Sequence, residues 1–386
     1  MRVAVFTDND FDKVNGVTTT LNALVVHAPA DVSVRIYTAA ALATDDPHYL
    51  ALRSVPLPIP LYRGMHMYLP HWREYLRRIA SDGVDVLHLT TPGPLGLVAL
   101  WVASRTGLPI VGSFHTDFAA YANVLSGWPR LGLWMRDYLR WMYGRCAITL
   151  VPSHDTRDML VNGGASADRV VVWTRGVDSD YFRPDRRSPI LRARWQASER
   201  RPAILYVGRL SREKGLHSLP AILQELRAAG AAYRLIVAGD GPLRPWLEQH
   251  CPEAVFAGWL GRDDVADALA SADLFLFPSR TDTAGNVILE AQASGLPVVV
   301  SEAGGPRENM VDGVTGVVCH GDDPRRWAFA VGDLLREHAA RQIMGRAARH
   351  YTTLRRWETA LTPIYDAYRQ AIRGADRRGA GVHHAA

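Results

Sequence analysis

Two acids and two cations carry the chemical interest of this chain. Asp282 and Glu290 stand eight residues apart and bracket Gly285-Asn286-Val287. Arg209 and Lys214 stand five apart in Gly208-Arg209-Leu210-Ser211-Arg212-Glu213-Lys214-Gly215. A guanidinium fork and an ammonium point charge on a glycine loop can clamp a diphosphate, although charged loop residues are often only solvated. Free amides where Gly285 and Asn286 turn into a helix favour an anion too. His115, in Ser113-Phe114-His115-Thr116-Asp117-Phe118, is a further candidate, with a buried structural histidine as the plainer reading. Gly16, in Asn15-Gly16-Val17, lets backbone amides approach a phosphate, or simply makes a tight strand-to-helix turn.

The elements around these residues decide where they point. Leu274 to Phe277 is an apolar run that reads as a buried parallel strand, ended by Pro278. Asp282 then lies on the loop at the carboxyl end of that strand, and Glu290 on the helix that follows. Gly295 and Pro297 stop this helix before the next strand, Val298 to Ser301. Ligands of open parallel sheets bind at that edge. Arg209 and Lys214 follow the strand Ala203 to Val207, and His115 follows Pro109 to Ser113.

Other short apolar runs are Val3 to Thr7, Val32 to Tyr37, Val84 to Leu89, Ile148 to Val151, Leu235 to Ala238 and Val255 to Ala257. Helical stretches fill most gaps, so the chain reads as βαβ units with parallel sheets. The expected fold is α/β, two doubly wound, Rossmann-like sheets facing across a cleft. The expected domains are 1–185 and 190–354, with the break near Arg183 to Glu199. A helix over 355–373, with Trp357, Leu361, Tyr365 and Tyr368 on one face, and a disordered tail over 374–386 complete the chain. Pro56 to Pro70 reads as an ordered loop.

A chain of 386 residues with 48% hydrophobic content fits about two globular domains. A net charge of +5 does not imply nucleic acid as a partner. Cys146, Cys251 and Cys319 are scattered without disulfide or metal spacing, which fits a reducing cytoplasm. The first residues enter a strand directly, without the pattern of a signal peptide, and no apolar run is long enough to span a membrane. Trp134, Tyr138, Trp141 and Arg145 recur at helical spacing in a Trp- and Arg-rich segment, Trp128 to Arg145. Such a helix either packs its aromatic stripe on the core or docks on an anionic membrane surface.

Together these motifs resemble the GT-B retaining glycosyltransferases of family 4, over about residues 1–372. Gly-Arg-Leu-x-x-x-Lys-Gly matches the donor-phosphate motif of that family, and Asp282 with Glu290 its paired acids, with Asp282 standing where Glu is usual. His115-Thr116-Asp117 looks like the signature of the branch holding sulfolipid synthases and GDP-mannose-dependent α-mannosyltransferases. The resemblance implies that Gly16, Arg209, Lys214, Gly285, Asn286 and Val287 surround the donor diphosphate. It implies that Glu290 holds the ribose hydroxyls, that Asp282 contacts the donor sugar, and that His115 lies close to the reacting sugar. Arg175-Gly176-Val177-Asp178 resembles the family's interdomain link and reads as mainly structural. Gly239-Asp240-Gly241-Pro242 and Phe256 to Gly261 resemble its nucleotide-side loops. The implied partners are a nucleotide-sugar donor, best matched by GDP-mannose, and a lipid or glycan acceptor. No cofactor and no metal are expected. The alternatives are a UDP-sugar enzyme of the sulfolipid-synthase type, a sugar-nucleotide epimerase of the same fold, and a non-catalytic binding module, which the phosphate clamp argues against. The expected location is the cytoplasm, at the inner face of the membrane.

Overall fold

The computed structural model describes residues 1–11, 15–39, 44–58 and 66–383. The chain divides into two units. The N-terminal unit is Met1–Thr174 with Glu358–Ala386, and the C-terminal unit is Arg175–Trp357.

The N-terminal unit is built on β1 (Arg2–Thr7), β2 (Ser33–Thr38), β3 (Tyr49–Ala51), the hairpin β4 (Ser54–Pro58) and β5 (His66–Pro70), β6 (Val86–Leu89), β7 (Ile110–Ser113), β8 (Ile148–Val151) and β9 (Val170–Val172). Seven of these strands form one sheet in the order β3-β2-β1-β6-β7-β8-β9, and its pairs are parallel. The central strands are buried, which is why their sequences are continuous apolar runs rather than alternating ones. Phe6, Leu87, Leu89, Ile110 and Val151 join Leu95, Val98 and Met142 from neighbouring helices in a single core.

The C-terminal unit holds β10 (Ala203–Val207), β11 (Arg234–Ala238), β12 (Val255–Gly258), β13 (Leu274–Phe277), β14 (Val298–Ser301) and β15 (Gly316–Cys319). Their order is β12-β11-β10-β13-β14-β15. The chain therefore winds outward from β10 in one direction and restarts at β13 in the other. That reversal creates a crevice beyond the carboxyl ends of β10 and β13, the place where such sheets take ligands. In the N-terminal unit the same reversal falls between β1 and β6.

Three expectations change. The units part at Thr174 and Arg175, before the proline-rich break at Arg183 to Glu199. The intervening segment is fastened to the C-terminal unit. Val177 N donates to Arg355 O at 2.9 Å, the Arg349 guanidinium reaches the carbonyls of Ser179 and Phe182, and Arg186 pairs with Asp267 at 2.7 Å. The loop expected over Pro56 to Pro70 contributes to the antiparallel hairpin β4–β5, with residues 59–65 of it lying outside the described residues. Its prolines hid a two-strand pattern that cross-strand pairing supplies. The last helix runs Trp357–His383, so helix continues past Gly374 where a disordered tail was expected, and 384–386 lie outside the described residues. Extending an existing helix adds one hydrogen bond per residue, and Ala375 and Arg377 favour it.

Candidate active site

In the C-terminal unit the structure brings Lys214 and Asp282 together at the sheet reversal. Lys214 ends a short 3₁₀ turn, Arg212–Lys214, in the loop after β10. Its Nζ donates to Asp282 Oδ2 at 2.5 Å, on side chains that are only 18% and 17% exposed. Gly215 closes the turn at φ +71°, and a Cβ there would lie 2.4 Å from the Pro278 carbonyl oxygen. The β10 and β13 loops are therefore packed backbone to backbone. The Thr281 hydroxyl strengthens the join by donating to Glu213 O at 2.8 Å.

Asp282 Oδ1 accepts the Gly285 amide at 3.2 Å, so both carboxylate oxygens are engaged. Burial pushes this carboxyl up. The Lys214 charge and hydrogen bond, then the Gly285 and Ala284 amides, outweigh it and leave Asp282 below the usual carboxylate range. Gly285, at φ +69° and ψ +57°, caps the helix Asn286–Ala293. The glycine takes the cap and Asn286 is the first helical residue, because the chain enters the helix through a left-handed turn.

Glu290 lies one turn into that helix and is half-buried. Among the described residues its carboxylate has no hydrogen-bond or ion-pair partner. Burial pushes it up to about 7, opposed by the charge of Arg262. Arg209 is exposed in the loop directly after β10, beside Gly208. Its backbone oxygen accepts the Tyr206 hydroxyl at 3.0 Å. Gly239 comes so close to this loop that a Cβ would sit 1.9 Å from Gly208 O.

The N-terminal unit places its two candidates at the carboxyl edge of its own sheet. Gly16 opens the helix Gly16–Val26 beyond β1. The Asn15 side chain already accepts the Val17 and Thr18 amides at 2.9 and 3.1 Å, a capping box completed by Thr18. His115 lies two residues beyond β7 and is buried. Its Nε2 is 2.7 Å from Ser113 Oγ, and its ring meets Trp173 edge-on at 6.0 Å.

Comparison with known proteins decides the family. Residues 14–181 match the model described as Glycosyltransferase Family 4, and residues 201–337 the model described as Glycosyl transferases group 1. A GDP-mannose-dependent alpha-mannosyltransferase of Corynebacterium glutamicum is 30% identical over 380 residues, covering 96% of this chain and 89% of that protein. The chain belongs to glycosyltransferase family 4. A sulfoquinovosyl transferase of Arabidopsis thaliana is 33% identical to the glycosyltransferase over 319 residues. That match covers 81% of this chain and 61% of the longer plant protein. Among solved structures, Anabaena Alr3699/HepE in complex with UDP-glucose has a TM-score of 0.77 at 18% identity, covering 96% and 100% of the two chains. Sucrose-phosphate synthase from Thermosynechococcus elongatus has a TM-score of 0.77 at 18% identity, covering 97% and 99%. The likeness is one of fold, and the fold of the glycosyltransferase is GT-B.

Two groups near these edges escaped the sequence. Arg175 is 2% exposed, and burial pushes its guanidinium down to about 9 against the pull of Asp282. It is a second cation in the field of that acid, where the sequence pointed to a structural link. Asp8, just after β1, accepts the Leu95 amide at 3.0 Å and the Thr91 hydroxyl at 2.5 Å. Burial raises it to about 6, so it is a buried helix cap rather than a solvated loop acid. Asp8-Asn9-Asp10 and Asp178-Ser179-Asp180 have the acid-x-acid spacing that can bind divalent cations. Asp8 is committed to its cap, and Asp178 faces Arg262 at 3.4 Å. Among the described residues no group of three or more His, Cys, Asp and Glu could hold a metal ion.

Proposed function

We propose that this glycosyltransferase moves mannose from GDP-mannose to a hydroxyl of a lipid or lipid-linked glycan. The transfer retains the anomeric configuration and uses no divalent metal. The observation that carries this reading is the Lys214–Asp282 pair at the sheet reversal, beside the exposed Arg209 and the capped helix Asn286–Ala293. Cleavage of a sugar–phosphate bond leaves negative charge on the departing nucleoside diphosphate. Arg209, Lys214 and the Gly285, Asn286 and Val287 amides would stabilise that charge as it develops. Lys214 is held by Asp282 until a diphosphate competes for it, so the ammonium is already oriented. Glu290 is the acceptor for the ribose hydroxyls, and Asp282 and His115 attend the sugar. The acceptor hydroxyl attacks the face that the diphosphate leaves, and a donor phosphate oxygen takes its proton. No protein nucleophile is needed.

GDP-mannose is favoured because the relative matched over 89% of its length uses it. A UDP-sugar donor is the second reading, supported by the 33% identity to the sulfoquinovosyl transferase. The lipid side rests on exposed residues of the N-terminal unit. Trp128, Leu133, Trp134 and Trp141 are all exposed, while Leu139 and Met142 fill the buried face of the helix Pro129–Tyr143. Trp134, Tyr138 and Trp141 stack at 5.8 and 6.0 Å, and Arg145 covers Trp141 at 4.1 Å. Val55, Leu57, Met67 and Leu69 of the hairpin are exposed as well. Such aromatic, apolar and basic groups suit peripheral docking on the anionic cytoplasmic leaflet. No helix among the described residues is long and apolar enough to cross a membrane.

A thermal-shift panel of GDP, GDP-mannose, UDP and UDP-glucose tests the donor. A larger shift with GDP-mannose supports the main reading, and a larger shift with the uridine pair replaces it with the second. Transfer to membrane lipids with EDTA present, followed by assignment of the product anomer, tests metal use and retention. Recovery with floated liposomes that does not depend on anionic lipid would remove the membrane contact.

A further inference from the structure

A buried line of hydrogen bonds ties the last helix to His115 within the N-terminal unit. The Tyr368 hydroxyl is 2.7 Å from His88 Nδ1. His88 Nε2 is 2.8 Å from Ser113 Oγ, which lies 2.7 Å from His115 Nε2. Tyr368, His88 and Ser113 are each at most 1% exposed, so these atoms are shut off from bulk solvent. We propose that Tyr368, His88 and Ser113 form a one-way relay that fixes His115 in the tautomer bearing its proton on Nδ1.

The direction follows from counting protons. A neutral imidazole has one N–H, and each hydroxyl has one O–H to give. Burial pushes His88 down to about 3, so it holds a single proton. Three arrangements then complete the line; in one, both rings donate to Ser113 Oγ and the buried Ser113 proton is left with no acceptor among the described residues, which disfavours it. The other two run in a single direction. In the first, Tyr368 donates to His88 Nδ1, His88 Nε2–H donates to Ser113 Oγ, and Ser113 donates to His115 Nε2. In the second, every bond is reversed and the Tyr368 hydroxyl becomes an acceptor. Its own proton is then buried with no other acceptor among the described residues. Stranding a buried donor disfavours that arrangement by about ten- to hundred-fold. In the first arrangement Tyr368, His88 and Ser113 each donate within the line. Tyr143 steadies the strand end by donating to Ser113 O at 3.2 Å.

The consequence for catalysis rests on the reading of His115 as a neighbour of the donor sugar. With Nε2 accepting from Ser113, the proton of His115 sits on Nδ1, which then has no lone pair. It meets the sugar as a hydrogen-bond donor and not as a base. Ser113, His88 and Tyr368 are positioning residues that act through it.

The test is the tautomer of each ring, read from long-range ¹H–¹⁵N spectra of the full chain labelled with ¹⁵N-histidine. Signals are assigned with His115→Asn and His88→Gln. Opposite tautomers are expected, Nε2–H for His88 and Nδ1–H for His115. Ser113→Ala should move His115 toward the Nε2–H form and lower kcat about five-fold, with the donor KM unchanged. A wild-type His115 in the Nε2–H form, or a His115 signal that ignores Ser113→Ala, overturns the relay. The wild-type spectrum decides even if the Ser113 variant folds poorly. Opposite tautomers combined with full turnover in His115→Asn would uphold the relay and remove His115 from the donor site, so the two readings fail separately.

Discussion

The two sheet edges are wired by different physics. Beyond β10 and β13 the groups are ionisable: Lys214 on Asp282 at 2.5 Å, Arg175 in the same field, and Glu290, which has no hydrogen-bond or ion-pair partner among the described residues. Beyond β7 they are hydrogen-bonded polar groups with no ion pair between them: a tyrosine, two histidines and a serine joined end to end. A charged network answers to the charge of what binds, because a diphosphate changes the energy of every member. A buried line without ion pairs answers to almost nothing and holds one orientation. The C-terminal edge is thus suited to taking up developing negative charge, and the N-terminal edge to presenting a fixed donor. Within the charged edge there is a second contrast. Asp282 and Glu290 are both part-buried acids, yet one is held low by a cation and amides while the other is pushed up to about 7.

The largest way to break this contrast is to remove the cation. Lys214→Ala should lower turnover about 100- to 1000-fold, the usual loss when one group stabilising a developing anion is deleted. It should also raise the Asp282 carboxyl, since burial then lacks its largest opponent. Steady-state kinetics with the preferred nucleotide sugar measures the first effect. Turnover near wild type would mean that the C-terminal edge does not work through charge.

A smaller effect separates the two acids. Glu290 accepts two ribose hydroxyls far better when ionised, since both oxygens then carry charge, and the free protein keeps it protonated up to about pH 7. Nucleoside diphosphate affinity should therefore rise as pH passes upward through about 7. Glu290→Gln should weaken binding about ten-fold at pH 8 and lose that step in the profile. Calorimetry from pH 6 to 8 on both proteins separates this step from titration of the nucleotide. A variant that keeps the wild-type profile would assign the step to the ligand.

Much of the charged edge was legible because its determinants are local. The strands Ala203–Val207, Leu274–Phe277 and Val298–Ser301 are apolar runs between clear stops, and the Arg209, Lys214, Asp282 and Glu290 loops follow them directly. The hydrogen-bonded edge was legible only in part. His115 could be found from its motif, whereas His88 and Tyr368 are 280 residues apart and no periodicity links them. Arg175 was missed for the same reason. It is followed by Gly176, where a Cβ would lie 2.6 Å from the Trp357 Cα, a contact that only the folded chain creates. Strands β3 and β9 have three residues each, too few to establish a pattern. In β15 the run Gly316-Val317-Val318-Cys319 is sheltered by β14 on one side only, and the flanking Asp312-Gly313 and Gly321-Asp322-Asp323 read as turn.

The smallest effect gives the contrast a sign that stability can report. The folded Glu290 holds its proton up to about 7, above its ordinary value of 4.5. Its contribution to stability is fully present below pH 4.5 and is lost as pH rises through 7. Glutamine never ionises, so Glu290→Gln should match wild type at pH 5 and exceed it at pH 8, by about 1–2 kcal/mol after allowance for its partial exposure. Asp282 runs the other way. Its folded value lies below the ordinary 3.8, so its contribution is present above 3.8 and is lost only as pH falls through that lower value. Asp282→Asn should therefore destabilise the protein throughout pH 5 to 8, by leaving Lys214 without its counter-ion. Urea unfolding of the three proteins at pH 5 and pH 8 decides between these signs. If both variants shift stability in the same direction at pH 8, the two acids are not held by opposite forces.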